Sequence, residues 1–363
     1  MTQTIRGREG DLLKRSLNKE VLSDVRFFLE KINERNLFTR GLVERYEAPS
    51  LALGQDVEYF SSQITMDDRM VYIMNNIVTD PHLSMRNKVG NTVISHFYGA
   101  RGIHSVITGE TDPKKALVDF ELIAKEQEKT KEAGPYTRAL RERMDLAKTR
   151  KTPIWGTTEL HTSIMGAGNS FVKNRYGPEA LTGLAVTEWI SSWVNTGYMD
   201  ELISSNSLEV MFKNLIKTPG IGPYYGYHCA TSNSVNPGLK FHHDEPFCSP
   251  GPGAIMTLDL LFPGLSKKDS PHGNRVIWIR ENQDDLFPGM REIFHPATHN
   301  VMANGVKIFE SPQDELKTYG TEVGLCQYSV YCRLRDNPHL VSKRKIARVE
   351  PVSCSVPLSE FFD

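Results

Sequence analysis

The chain has 363 residues, 39% hydrophobic and 24% charged, the proportions of an ordinary soluble globular protein. Its net charge is −1 and its pI about 6.8, which excludes a protein that coats DNA through overall basicity. Five cysteines without a CxxC, a polar start (MTQTIRGREGDLLKR) and no long apolar run predict reduced thiols in a cytoplasm, with neither signal peptide nor membrane span.

Residues 1–46 predict helix, with Leu22, Val25, Phe28, Leu29 and Ile32 on one face. Residues 56–64 and 68–76 continue that pattern. The segment 74–102, MNNIVTDPHLSMRNKVGNTVISHFYGARG, mixes helix signals with polar residues that a simple core does not need. Its Asn87, Asn91, His96 and Arg101 form a series suited to lining a cleft. Residues 112–150 predict a long exposed helix or hairpin, with Lys125, Glu128, Lys129 and Glu132 at helical spacings. A loop carrying Pro153, Gly156, Gly166 and Gly168 follows. Helix resumes at 178–196 and 207–217, and again after Pro223. Residues 229–254 read as a loop that carries function, and strand-like runs come only late, at 275–279 and 306–309. The basic runs Lys148-Thr149-Arg150-Lys151 and Lys343-Arg344-Lys345 are local patches, each also readable as a solvated surface. The expected fold is one mainly helical domain over 1–363 that can divide into two lobes.

The stretch 215–228, LIKTPGIGPYYGYH, is the sharpest signal. A helix runs into Pro219-Gly220-Ile221-Gly222 and another restarts at Pro223, which suits a first helical turn. Such a turn points free N–H groups outward beside a positive helix N-terminus, an arrangement that holds a phosphate without reading a base. The segment 208–230 therefore reads as a helix-hairpin-helix, with Thr218, Gly220, Ile221, Gly222 and Tyr224 toward DNA. A PGIG turn also occurs in proteins that never touch DNA. Asp244 lies downstream in KFHHDEPF, about where the helix-hairpin-helix DNA glycosylases keep an aspartate, and the chain resembles that superfamily in this local layout.

The loop 240–254 holds the densest polar cluster. Asp244 can hold or deprotonate a nucleophile, with His242 or His243 carrying the proton and Glu245 beside them. The alternative is that these histidines bridge loop backbone. Adjacent residues point in different directions and no HxxxH lies nearby, so neither a metal nor another cofactor is expected. Gly251 and Gly253 in SPGPGA allow close approach of a phosphate or base, or simply start a helix. Cys248 is either a covalent catalyst or a small buried residue. Near the end, EVGLCQYSVYCRLRDNPH (322–339) offers Arg333 and Arg335 to phosphates, or reads as an amphipathic helix with Leu325, Tyr328, Val330 and Tyr331 partly in the core.

The TDPHLSMRNKVGNTVISHFYG block, the PGIG hairpin, the HHDE loop with GPGA and the late GLCQYSVYCRLR, in this order, resemble one family. It is that of the phage alpha-glutamyl/putrescinyl-thymine pyrophosphorylases, understood as amino acid:DNA transferases, whose relatives include the helical domain of 5-hydroxymethyluracil DNA kinases. The resemblance spans roughly residues 30–345. Gln327 and Val330 stand where the kinase-associated relatives carry Glu and Lys. The resemblance implies a mainly helical, glycosylase-like fold with elaborations. It implies transfer of a free amino acid, of glycine or serine type, onto 5-(pyrophospho-oxymethyl)uracil in double-stranded DNA, in the cytoplasm of an infected bacterial host. On that reading Asp244, His243, His242 and Glu245 are catalytic. Asn91, Arg101, Gly251, Gly253 and Arg333 meet phosphate or substrate. No P-loop is present, so the chain is not expected to phosphorylate DNA. A DNA N-glycosylase and a noncatalytic DNA-binding subunit are the competing readings.

Overall fold

The computed structural model describes residues 7–39, 45, 47–50, 53, 70, 72–98, 103–152, 154, 162–241, 245–288, 302–303, 306–307 and 318–340. The fold is mainly helical. In chain order the elements are α1 (Arg8–Ser16), α2 (Lys19–Thr39), the π-helical α3 (Ile73–Val78), α4 (Met85–Tyr98), α5 (Ile103–Thr108), α6 (Phe120–Lys129) and α7 (Pro135–Thr149). Then come α8 (Thr162–Tyr176), α9 (Ala185–Asn195), α10 (Tyr198–Ile203), α11 (Leu208–Lys217), α12 (Pro223–Asn233), α13 (Pro252–Leu261), α14 (His272–Glu281), α15 (Gln283–Leu286) and α16 (Thr318–Asp336). Strand β1 (Met302–Ala303) pairs antiparallel with β2 (Val306–Lys307), Met302 opposite Lys307 and Ala303 opposite Val306. No described helix is long and apolar enough to cross a membrane.

Local chemistry sets the helix starts. Asp119 caps α6 by accepting from Leu122 N, and Ser207 caps α11 by accepting from Val210 N. Asn18 does the same for α2, accepting from the N–H groups of Glu20 and Val21. Proline opens α7, α12 and α13, where its missing N–H costs nothing.

The described residues fall into two compact units. One combines those of 1–71 with those of 242–346; the other is 72–241. In the second unit α4 is central, packing on α3, α5, α6, α9, α10 and α12. Every residue from Val89 to Tyr98 is buried, so beyond its first turn this helix has no solvent face. Gly90 is required there: a Cβ would sit 2.5 Å from the Phe120 ring. In the first unit α13 packs along α16, with α2 and α14 alongside. A Cβ on Gly253 would lie 2.7 Å from Cys326 Sγ and Ser329 Oγ, so this glycine sets the closeness of that pair. Phe28 of α2 stacks on Tyr331 at 4.9 Å, and Val25, Leu29 and Ile32 are buried on the same face.

Four sequence expectations are corrected. The loop expected over 229–254 is shorter, because α12 runs on to Asn233 and α13 starts at Pro252. The run 275–279 is helix within α14, not strand, and all five residues are buried. A short apolar run has the same pattern in a buried helix as in a strand, and Arg275 settles it by reaching Asp259 of α13 at 3.3 Å. Gly166 and Gly168 lie within α8 rather than in a loop. At Gly168 a Cβ would come within 2.9 Å of Val186 N, so the glycine lets α8 meet α9. Residues 112–150 form two helices, as the hairpin alternative had it, but they are not exposed: their buried faces, including Phe120, Ile123, Leu140 and Met144, face α9 and α5 respectively. Between α7 and α9, Arg141 meets the wholly buried Glu188 carboxylate through two 2.7 Å bonds.

Candidate functional site

The turn between α11 and α12 lies where the Pro and Gly residues predict it. Thr218 Oγ1 donates to the Tyr198 hydroxyl at 2.8 Å, and that hydroxyl donates to Asn214 O at 2.8 Å, pinning the end of α11. Burial pushes the Tyr198 phenol up to about 12, so it remains a donor. Ile221 is buried and its N–H donates to Thr218 O at 3.1 Å. Gly220 has φ +89°, and a Cβ there would lie 2.7 Å from Ser163 O. No side chain fits that position on either ground. Gly222 caps α12, and the space that its side chain would fill is open. The N–H groups of Gly220 and Gly222 have no hydrogen-bond partner among the described residues. They stand at the positive end of an eleven-residue helix. Gly226, one turn on, would press a Cβ to 2.6 Å from Ile216 of α11, so it fixes the hairpin's closeness.

Behind this turn the α4–α12 contact is polar where a core is usually apolar. Tyr224, half-buried, leans its ring on His228 with centroids 4.4 Å apart. His228 faces His96 of α4 at 6.1 Å, and His96 Nε2 lies 2.6 Å from Ser232 Oγ. Tyr224, His228 and Ser232 follow at one-turn spacing along α12. Thr92 lies one turn before His96 on α4. Its hydroxyl, and that of Thr231, are buried without a hydrogen-bond partner among the described residues. So are Asn233 Oδ1 and both amide atoms of Asn236. Leaving such groups unpaired costs about 1–3 kcal/mol each. The 224/228/232 spacing was the signal in the sequence, and the expectations above missed His228 and Ser232.

The other candidates occupy different places. His242, His243, Asp244 and Arg101 lie outside the described residues. Glu245 is half-buried. Gly251 is buried and its N–H donates to Glu322 Oε1 at 2.8 Å, so an internal carboxylate already fills the N-terminus of α13. Burial drives the Glu322 carboxyl up to about 7 against the pull of that bond. Gly253 is a helix-packing position, as described. Arg333 is exposed, whereas Arg335 pairs with Asp24 at 2.9 Å. Cys248 is buried and is in no disulfide.

Asn91 is wholly buried and works for the fold. Its Nδ2 donates to Val118 O at 2.8 Å and its Oδ1 accepts from Val118 N at 2.9 Å. Asn87 acts in parallel: its Oδ1 accepts from Phe120 N at 2.8 Å and its Nδ2 donates to Asp119 at 3.0 Å. These two amides hold the chain that enters α6, so Asn91 lines no cleft. His104 Nε2 donates to Asn91 O at 3.2 Å, and burial lowers its pKa to about 4.

Residues 66–339 match the family described as the helical domain of 5-hmdU DNA kinase. The chain belongs to that family. The match includes α4, the hairpin, the 240–254 loop, α13 and the whole of the 322–339 block. No curated protein and no solved structure matches the chain. This family ties the chain to DNA modification of the phage thymine type.

Proposed function

We propose that this chain is an amino acid:DNA transferase acting on 5-(pyrophospho-oxymethyl)uracil in double-stranded phage DNA. The carrying observation is the match of residues 66–339 to the helical domain of 5-hmdU DNA kinase, together with the N–H groups of Gly220 and Gly222, which have no partner among the described residues, at the start of α12. A family that accompanies phosphorylation of the base is suited to the step that consumes the phosphorylated base.

In that step the amine of a free amino acid attacks the exocyclic methylene. The new C–N bond forms, the C–O bond breaks, and pyrophosphate leaves with the bonding pair. The amine's proton passes to Asp244 or to a neighbour among His242, His243 and Glu245. The N–H groups of Gly220 and Gly222, with the positive end of α12, suit a DNA backbone phosphate. Thr218 and Ile221 hold that turn in shape, and Tyr224 stands next to it. Arg101 and Arg333 are the cations offered to the leaving group. The place of action is the cytoplasm of the infected host.

Nucleoside mass spectrometry tests the reading. DNA carrying the pyrophosphorylated base is incubated with the chain and the common amino acids, then digested. A nucleoside with the mass of an aminoacyl-methyl adduct is expected, and Asp244→Asn is expected to abolish it. Abasic sites in its place would establish a glycosylase instead. Binding without any new nucleoside would leave only a DNA-binding subunit.

A further inference from the structure

Three components must be held in the proposed reaction: a neutral pyrimidine, a pyrophosphate and a zwitterionic amino acid. The α4–α12 seam discriminates between them. The row Tyr224, His228, His96, Ser232 and Thr92 contains aromatic and imidazole faces followed by hydroxyls, and no lysine, arginine or carboxylate. A pyrophosphate needs cations, and a zwitterion needs a charge of each sign. A pyrimidine needs a face to stack on and neutral polar groups for its edge.

We propose that this seam is the subsite that receives the pyrimidine extruded from the duplex, with Tyr224 and His228 as its stacking face. The hydroxyls of Thr92 and Thr231, which are buried and have no partner among the described residues, are the polar groups deeper along it. The row starts at the second residue of α12, directly after the turn suited to a backbone phosphate. A nucleotide held by its phosphate at Gly222 therefore has its base within reach of Tyr224. This inference rests on the proposed action on DNA, and it adds His228, His96 and Thr92 to the residues concerned.

The test uses the full chain and a duplex with one 5-(pyrophospho-oxymethyl)uracil beside 2-aminopurine, whose fluorescence rises when its neighbour leaves the stack. Wild type is expected to raise the signal. With protein saturating the duplex, Tyr224→Ala and His228→Ala are expected to reduce the extruded fraction of bound duplex roughly tenfold, the loss of one stacking partner. Tyr224→Phe is expected to keep it. Circular dichroism reports folding, and if His228→Ala fails to fold, the Tyr224→Ala and Tyr224→Phe pair decides. A full fluorescence rise in folded Tyr224→Ala overturns the subsite, as does wild type that binds without extrusion. Aminoacyl product alongside that result means that the subsite alone was wrong. Extrusion that depends on Tyr224, with no product formed, upholds the subsite and overturns the transferase.

Discussion

Two helix seams in this chain are built differently. Between α13 and α16 the backbones are drawn together by Gly253, and the buried carboxylate of Glu322 is tied to the start of α13. Thr257 Oγ1 donates to Leu325 O at 2.7 Å, while Thr318 Oγ1 and Gln327 Oε1 of α16 are buried without a hydrogen-bond partner among the described residues. On α4 and α12 the hydroxyls of Thr92 and Thr231 are likewise without a partner among the described residues. The first seam is set by volume and tolerates none added; the second is set by the aromatic and polar contacts of His96, His228 and Ser232.

The largest effect should come from adding volume to the first seam. Gly253→Leu drives atoms into Cys326 and Ser329, and its backbone partner Cys326 O cannot move aside. A loss of about 3 kcal/mol or more is expected, read as the shift in a urea unfolding curve. Glu322 gives the next effect. Its folded pKa of about 7 exceeds the ordinary 4.5, so the native state holds the proton more tightly than the unfolded chain. Stability is therefore fully present below 4.5 and is lost as pH rises through 7, by about 3 kcal/mol at most. Glu322→Gln should flatten that slope while keeping an acceptor for Gly251; an unchanged slope would assign the pH dependence elsewhere.

Gly220→Ala tests the entry to the second seam. The positive φ and the 2.7 Å approach to Ser163 O predict a cost of about 1–3 kcal/mol. A weaker hold on duplex DNA should accompany it, measured by fluorescence anisotropy. The smallest effect has the opposite sign. Thr92→Val replaces a buried hydroxyl, without a partner among the described residues, with a methyl and should stabilise the protein by about 1 kcal/mol. If Thr92→Val destabilises instead, the second seam depends on that hydroxyl and is not set by His96, His228 and Ser232 alone.

The contrast also marks what could be read from the sequence. The hairpin was legible because Pro219, Gly220, Gly222 and Pro223 act on the backbone itself, whatever surrounds them. The apolar faces of α2 and α16 were legible from spacing, and Tyr328 and Tyr331 are indeed buried. The run 275–279 was not, because burial on all sides erases the period that separates helix from strand. Nor could spacing reveal that Asn87 and Asn91 grip residues 118–120, a partner distant in sequence. The polar residues of 74–102 resembled a cleft lining for that reason. Of Asn87, Asn91 and His96, it is His96 that faces the α4–α12 seam, and its partner Ser232 lies far along the chain.

The asparagine clamp has a kinetic consequence. The amide protons of Val118 and Phe120 are held by side chains of α4 rather than by a neighbouring turn of their own helix. Fraying of α6 cannot release them; α4 must loosen first. In deuterated water these two protons should therefore exchange at the pace of the whole 72–241 unit opening, and serve as its clock.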